Sequence, residues 1–164
     1  MPERQTIQHA RRDKRQGKSP STQAGEFVRE EIHHVRDGKH GARSVKQAIA
    51  IGLSKARRAG VKLGVPRDGR RSKQARKQAK RDLAKGRAHR RKISRARSRG
   101  ALVALQRESR GTASRSALSR QSRRAAKRRG HSSLHRAAMK AVHTKGPEGL
   151  QRAARQAART RRGR

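Results

Sequence analysis

Unopposed positive charge is the feature that most restricts what this chain can fold into. Residues 64–164 carry 34 Lys and Arg against four Asp and Glu, whereas residues 1–63 carry 15 against six. Hydrophobic residues make up only 29% of the 164, and one Phe is the only Phe, Tyr or Trp. A chain with so little apolar surface cannot offset the conformational entropy of folding over its whole length. The composition predicts one small folded unit, and the charge favours nucleic acid as the partner.

Apolar residues in the first third of the chain recur at helical spacing in two segments. Ser19 followed by Pro20 predicts a capped helix start, and Ser44 with Gln47 three residues later is a second capping pattern. Gly52 on the inner stripe of the second segment allows a neighbouring helix to approach closely. The predicted core consists of Phe27, Val28, Ile32, Val35, Val45, Ile49 and Leu53.

These segments predict a mostly α protein, with a small N-terminal helical hairpin followed by a basic tail that is disordered or conditionally helical. We divide the chain into a basic arm (1–18), the hairpin (19–65) and an Arg/Lys/Ala-rich tail (66–164). Two pieces of the tail form a gapless repeat, 133–145 and 149–161. Like charges one helical turn apart oppose helix formation in water, and contact with phosphates removes that repulsion. The thin core of the hairpin favours either homodimerisation through its remaining apolar surface or support from bound nucleic acid.

The N-terminal third resembles a known family. The start "MPERQTI" and the segment "STQAGEFVREEIHHVRDGKHGARSVKQAIAIGLSKARRAGVKL" resemble a group of small, very basic bacterial proteins that often carry the label plasmid-stabilisation protein. The resemblance covers about residues 1–63 and is only compositional beyond them. It implies a bacterial origin and a role linked to DNA, in the cytoplasm and at the nucleoid, but it brings no known catalytic or binding residues.

No arrangement of residues indicates an enzyme. The chain has no Cys, no Gly-rich phosphate loop, no G-x-S-x-G elbow and no H-E-x-x-H pattern. His33, His34 and His40 near Glu30 and Asp37 are residue types that bind metals, but His33 and His34 are adjacent and point to different faces of one helix. A solvated helix surface is therefore favoured, and we expect no metal and no cofactor. The sequence contains no run of about 18 apolar residues, so it predicts no membrane-spanning helix.

The expected function is largely sequence-independent DNA binding by phosphate neutralisation, in plasmid maintenance or nucleoid organisation. Duplex nucleic acid is favoured over single strands because single-strand binders stack bases on aromatic side chains, and the only one, Phe27, is assigned to the core. DNA is favoured over RNA as the partner. The candidate contact residues are Lys46, Lys55, Arg57, Arg58, Arg70, Arg71, Arg90, Arg91, Lys92, Arg123, Arg124, Lys127, Arg128, Arg129, Arg136, Arg152, Arg155, Arg159, Arg161 and Arg162.

Other functions stay open at this point. One is an RNA-binding or ribosome-associated protein, and another is a protein-interaction module of plasmid maintenance that the tail anchors to nucleic acid. A helix-turn-helix reader that uses the four candidate residues of the hairpin is disfavoured, since a third supporting helix is not evident. Binding to an anionic membrane is disfavoured as well, because the tail lacks a bulky apolar face.

Overall fold

The computed structural model of the protein describes residues 2–66, 73–88 and 94–162. Over these ranges the chain forms seven α-helices and one short 3₁₀ helix. They are α1 (Arg4–Arg15), α2 (Pro20–Arg36), α3 (Val45–Arg58), α4 (Lys73–Arg87), α5 (Arg95–Gln106), the 3₁₀ helix (Gly111–Ala113), α6 (Arg115–Arg129) and α7 (His131–Arg162). The chain divides into two compact units, Met1–Ser119 and Arg120–Arg164.

The predicted fold class, a hairpin followed by a disordered or conditionally helical tail, is wrong. Helices α4 to α7 cover most of the described residues beyond 66, so the described part of the chain is helical nearly throughout. The tail is rich in Ala, Arg, Lys and Gln, which all have high helix propensity. Repulsion between like charges costs only about 0.2–0.5 kcal/mol for each pair on a helix surface, so it does not prevent these helices. The proposed boundaries between arm, hairpin and tail stay a prediction.

The first unit is built around α1, α2 and α3. The start signals at Ser19 and Ser44 are correct: the Ser19 hydroxyl accepts from the Thr22 N–H at 3.3 Å, and the Ser44 hydroxyl accepts from the Gln47 N–H at 3.2 Å. One apolar cluster joins the three helices around Phe27, which is 1% exposed. Its other members are Ala10, Ala24, Ala56 and Val61, with Ile7, Leu53 and Leu63 at the edge.

A second apolar cluster connects α2 and α3 to the 3₁₀ helix. It contains Val35, Ala42, Ala48 and Ala113, with Ile32 packed against it. Of the predicted core residues, Phe27 and Val35 are buried, whereas Val28, Ile32, Val45, Ile49 and Leu53 are half-buried. The two clusters are small, and Ala is their commonest residue.

Backbone hydrogen bonds attach the end of α5 to the loop between α2 and α3. The Gly41 N–H donates to the Leu105 carbonyl at 2.8 Å, and the Ala42 N–H donates to the Ser109 carbonyl at 3.0 Å. A side chain at Gly41 would collide with the Glu108 carbonyl, so only glycine permits this approach. The segment that follows α5 is therefore part of the first unit.

The second unit contains the part of α6 from Arg120 onward and the whole of α7. Helix α7 is kinked at Gly146, whose φ is 63°, and Pro147 follows it. Proline cannot continue the hydrogen bonding of the preceding turn, and glycine tolerates the positive φ, so the pair explains the kink. The kink separates the two copies of the repeat, 133–145 and 149–161. None of the described helices combines the length and the apolar character needed to cross a membrane.

Two glycine substitutions test the close packing of α3 on α2. A methyl group at Gly52 would lie 2.7 Å from the Cα of Val28, whereas one at Gly100 in α5 would meet no atom within 4 Å. Gly52→Ala should lower the free energy of unfolding by about 1–3 kcal/mol through overpacking. Gly100→Ala should raise it by up to about 1 kcal/mol through helix propensity. Urea unfolding followed by circular dichroism measures both, and stabilisation by Gly52→Ala would contradict the close approach.

Candidate nucleic-acid interface

Exposed cations dominate the second unit. Residues 120–164 contain 15 Lys and Arg but only one acidic residue, Glu148. Within the described residues 120–162, no Lys or Arg side chain forms an ion pair, and the ion pairs of the described chain all lie at or before residue 82. The predicted contact residues found here are all exposed: Arg123, Arg124, Lys127, Arg128, Arg129, Arg136, Arg152, Arg155, Arg159, Arg161 and Arg162.

Helical spacing arranges part of this charge in a row. Arg152, Arg155, Arg159 and Arg162 follow one another at intervals of three or four residues in the second half of α7. Residues at these intervals are neighbours on one face of a helix. Four guanidinium groups therefore line the same face, and each of them can donate several hydrogen bonds to an oxyanion.

The candidate contact residues of α3 are placed differently. Lys46 is exposed, but the Lys55 side chain is only 20% exposed, and its Nζ lies 2.7 Å from Oε2 of Glu31 and 3.3 Å from Oε1 of Glu30. The charge of Lys55 is thus engaged inside the first unit. Sequence reasoning missed this pairing because Glu30 lies 25 residues before Lys55 in another helix, and Glu31 is its neighbour.

Arg57 and Arg58 are also drawn into the first unit, at the contact between α3 and α4. Arg58 Nε donates to Oδ1 of Asp82 at 2.8 Å, and the Ser54 hydroxyl donates to Oδ2 of the same carboxylate at 2.8 Å. Gln78 Nε2 adds a bond of 3.1 Å to Oδ1, and Asp82 is 1% exposed. Burial lowers the pKa of the Arg57 guanidinium, and the Asp82 carboxylate opposes that shift. One buried carboxylate thus holds two basic helices together.

Five further candidate contact residues lie outside the described residues: Arg70, Arg71, Arg90, Arg91 and Lys92. Among the candidates within the described ranges, those of α6 and α7 all lie in the second unit. The assignment of all of these residues to nucleic-acid binding stays a prediction.

An acidic region stands out in the first unit against the basic background. A cleft of about 270 Å³ lies beside α1 and α2, and four acidic residues line it: Glu3, Glu26, Glu30 and Asp37. Hydrogen bonds from His34 and Lys39 lower the pKa of the Glu3 carboxyl to about 2. An anionic ligand such as nucleic acid is therefore not expected at this cleft.

Three residues close to this cleft have the chemistry of metal ligands. Glu31, His34 and His40 each offer one ligand atom, and the three atoms lie within 4.8 Å of one another. His33 is exposed, as expected for a solvated helix surface. The side chains of His34 and His40 are instead only 12% and 9% exposed. The contacts of His34 with Glu3 and of His40 with Glu31 could not be predicted from sequence, because no local pattern connects these residues.

Two lysine substitutions test the internal role of Lys55. Lys55→Met leaves the buried Glu31 carboxylate without its ammonium partner and should lower the free energy of unfolding by about 3 kcal/mol. Lys46→Met on the same helix removes an exposed charge and should change it by less than about 0.5 kcal/mol. Thermal or urea unfolding of both variants provides the comparison. Equal stability of the two variants would show that the ion pair does not support the fold.

Similarity to a known family is confined to the N-terminal helices. Residues 4–69 match a family of unknown function (DUF6496), and this match includes α1, α2 and α3. It covers less than half of the chain and does not reach α4 to α7. No curated protein and no solved structure matches the chain significantly. A function therefore has to be argued from the charges and contacts of this chain itself.

Proposed function

We propose that this is a non-enzymatic protein that binds duplex DNA through its phosphates, largely without reading the base sequence. The observation that carries the proposal is the concentration of exposed, unpaired cations on α6 and α7. Each Lys or Arg that neutralises a phosphate releases condensed counterions from the duplex, which supplies a favourable free energy that does not depend on sequence. A role in nucleoid organisation or plasmid maintenance, in a bacterial cytoplasm, is the setting we propose for this activity.

The division of charge between the two units supports the proposal. In the first unit, acidic residues pair with Lys55, Arg58 and other cations, so part of the positive charge is already compensated. In the second unit only Glu148 opposes the cations. Preformed helices also lose less conformational entropy on binding than a disordered segment does, which favours affinity.

The single aromatic side chain supports duplex DNA over single-stranded nucleic acid. Phe27 is 1% exposed in the apolar cluster of the first unit, so it is not available to stack on a base. Proteins that bind single strands commonly use exposed aromatic residues for this purpose. Duplex RNA shares the phosphate chemistry, and competition between DNA and RNA duplexes of equal length decides between them.

A salt titration tests the binding mode. The logarithm of the association constant for a DNA duplex should fall linearly with the logarithm of the salt concentration, with a slope equivalent to at least about six released counterions. A duplex of shuffled sequence should give the same constants within about threefold, because phosphate contacts carry no base information. Fluorescence anisotropy of the full-length protein measures both. A shallow slope or strong preference for one sequence would contradict the proposal.

Matched charge variants test the location of the binding surface. Changing Arg123, Arg124, Arg128 and Arg129 to Gln removes four exposed charges from α6. Changing Arg4, Arg11, Arg12 and Arg15 to Gln removes the same charge from α1, where all four are exposed as well. The α6 variant should reduce the salt slope by about 2 to 4, whereas the α1 variant should leave most of it. Equal losses would show that net charge alone, rather than the second unit, determines binding.

A further inference from the structure

We infer that Glu31, His34 and His40 form a binding site for one divalent transition-metal ion, with zinc the best match. The three ligand atoms lie within 4.8 Å of one another. Ligands that share a zinc ion at about 2.0–2.2 Å lie roughly 3–4 Å apart, so small side-chain rotations bring the three onto one ion. Two imidazoles and one carboxylate suit zinc, whereas Mg²⁺ and Ca²⁺ prefer oxygen ligands alone.

The surroundings of the Glu31 carboxylate also point to a bound cation, independently of the closeness of the three ligand atoms. Its side chain is fully buried, and neither of its carboxylate oxygens accepts a hydrogen bond of good geometry. Lys55 Nζ lies 2.7 Å from Oε2, which leaves Oε1 facing Nε2 of His40 at 3.3 Å. A buried carboxylate oxygen without a hydrogen bond is costly, and a bound metal ion removes that cost.

The hydrogen bond on the other side of the His40 ring determines which nitrogen faces Glu31 with a lone pair. Nδ1 of His40 lies 3.0 Å from the Gly41 carbonyl, which can only accept, so Nδ1 carries a proton. In a neutral imidazole Nε2 then has a lone pair, and that lone pair faces the lone pairs of Glu31 Oε1. The repulsion ends when a cation lies between them, and a metal ion bound to both atoms has the required charge.

Both histidines have the outer contacts that usually orient a metal ligand. The Gly41 carbonyl holds His40, and Oε1 of Glu3 lies 2.8 Å from Nε2 of His34. Metal-binding histidines almost always donate their second N–H to a carbonyl or a carboxylate, which fixes the tautomer and leaves the other nitrogen free for the metal. A solvated surface histidine needs neither contact.

Local charge and access also fit a divalent cation. Three carboxylates, those of Glu3, Glu30 and Glu31, face two ammonium groups, those of Lys39 and Lys55. With neutral histidines the group has a net charge of one negative unit. Glu3, Glu30 and His34 line the acidic cleft of about 270 Å³, which gives an ion a route from solvent.

Zinc titration of the full-length protein, without an affinity tag and after treatment with a chelator, tests the inference. Isothermal titration calorimetry should show one tight site, zinc should raise the midpoint of thermal unfolding, and EDTA should reverse the rise. Mg²⁺ should produce neither effect. His34→Ala and His40→Ala should each weaken zinc binding by about tenfold or more. The matched control is His33→Ala, which removes the exposed neighbour on α2 and should leave the affinity unchanged.

A measurement on the unmodified chain covers the case in which these variants fold poorly. Zinc should shift the imidazole resonances of His34 and His40 in the nuclear magnetic resonance spectrum and leave those of His33 and His143 in place. Absence of tight zinc binding, equal weakening by His33→Ala, or shifts spread over all eight histidines would each overturn the inference.

Discussion

Buried carboxylates that pair with cations of a neighbouring helix are the interaction on which the first unit depends. Glu31 and Asp82 belong with Phe27 and Val35 to the largest fully buried side chains. A Lys or Arg that is partly buried between two helices is costly without a partner of opposite charge, so a carboxylate at the contact stabilises the packing. Glu31 meets Lys55 between α2 and α3, and Asp82 meets Arg58 between α3 and α4. Because apolar burial is small, these contacts help to hold α2, α3 and α4 together.

The scarcity and uneven placement of acidic residues connect the fold to the proposed function. The chain has ten Asp and Glu for 49 Lys and Arg, and only Glu148 lies in the second unit. Carboxylates in the first unit compensate nearby cations and hold helices together. The cations of α6 and α7 are left to solvent and its anions. A chain built this way has one part whose charge stabilises its own fold and another whose charge is available for phosphates.

Local signals in the sequence predicted the parts of the fold that local chemistry determines. The caps at Ser19 and Ser44 and the close approach at Gly52 could all be read from residue type and spacing. The docking of α4 and α5 could not, because it depends on one carboxylate, Asp82, and on backbone contacts at Gly41. Neither feature produces hydrophobic periodicity, so sequence alone predicts a tail where these basic segments form helices.

The candidate nucleic-acid interface, like the fold, could be predicted only where local sequence determines it. Exposed arginines on α6 and α7 follow directly from composition. The sequence predicts that Lys55 and Arg58 contact DNA because their acidic partners, Glu30 and Asp82, lie 25 and 24 residues away, where no local pattern connects them. The sequence predicts a solvated surface for His34 and His40 for the same reason, since only the loop after α2 brings His40 back to Glu31.

Hydrogen exchange of an Asp82→Asn variant tests most directly whether carboxylates dock the basic helices. The substitution keeps the shape of the side chain and removes its charge. If the account is correct, amides of α4 should lose protection by about tenfold or more, while those of α1, buried around Ala10, should keep theirs. Unchanged protection of α4 would contradict the account, because it would mean that packing or helix propensity holds α4 in place without the charge of Asp82.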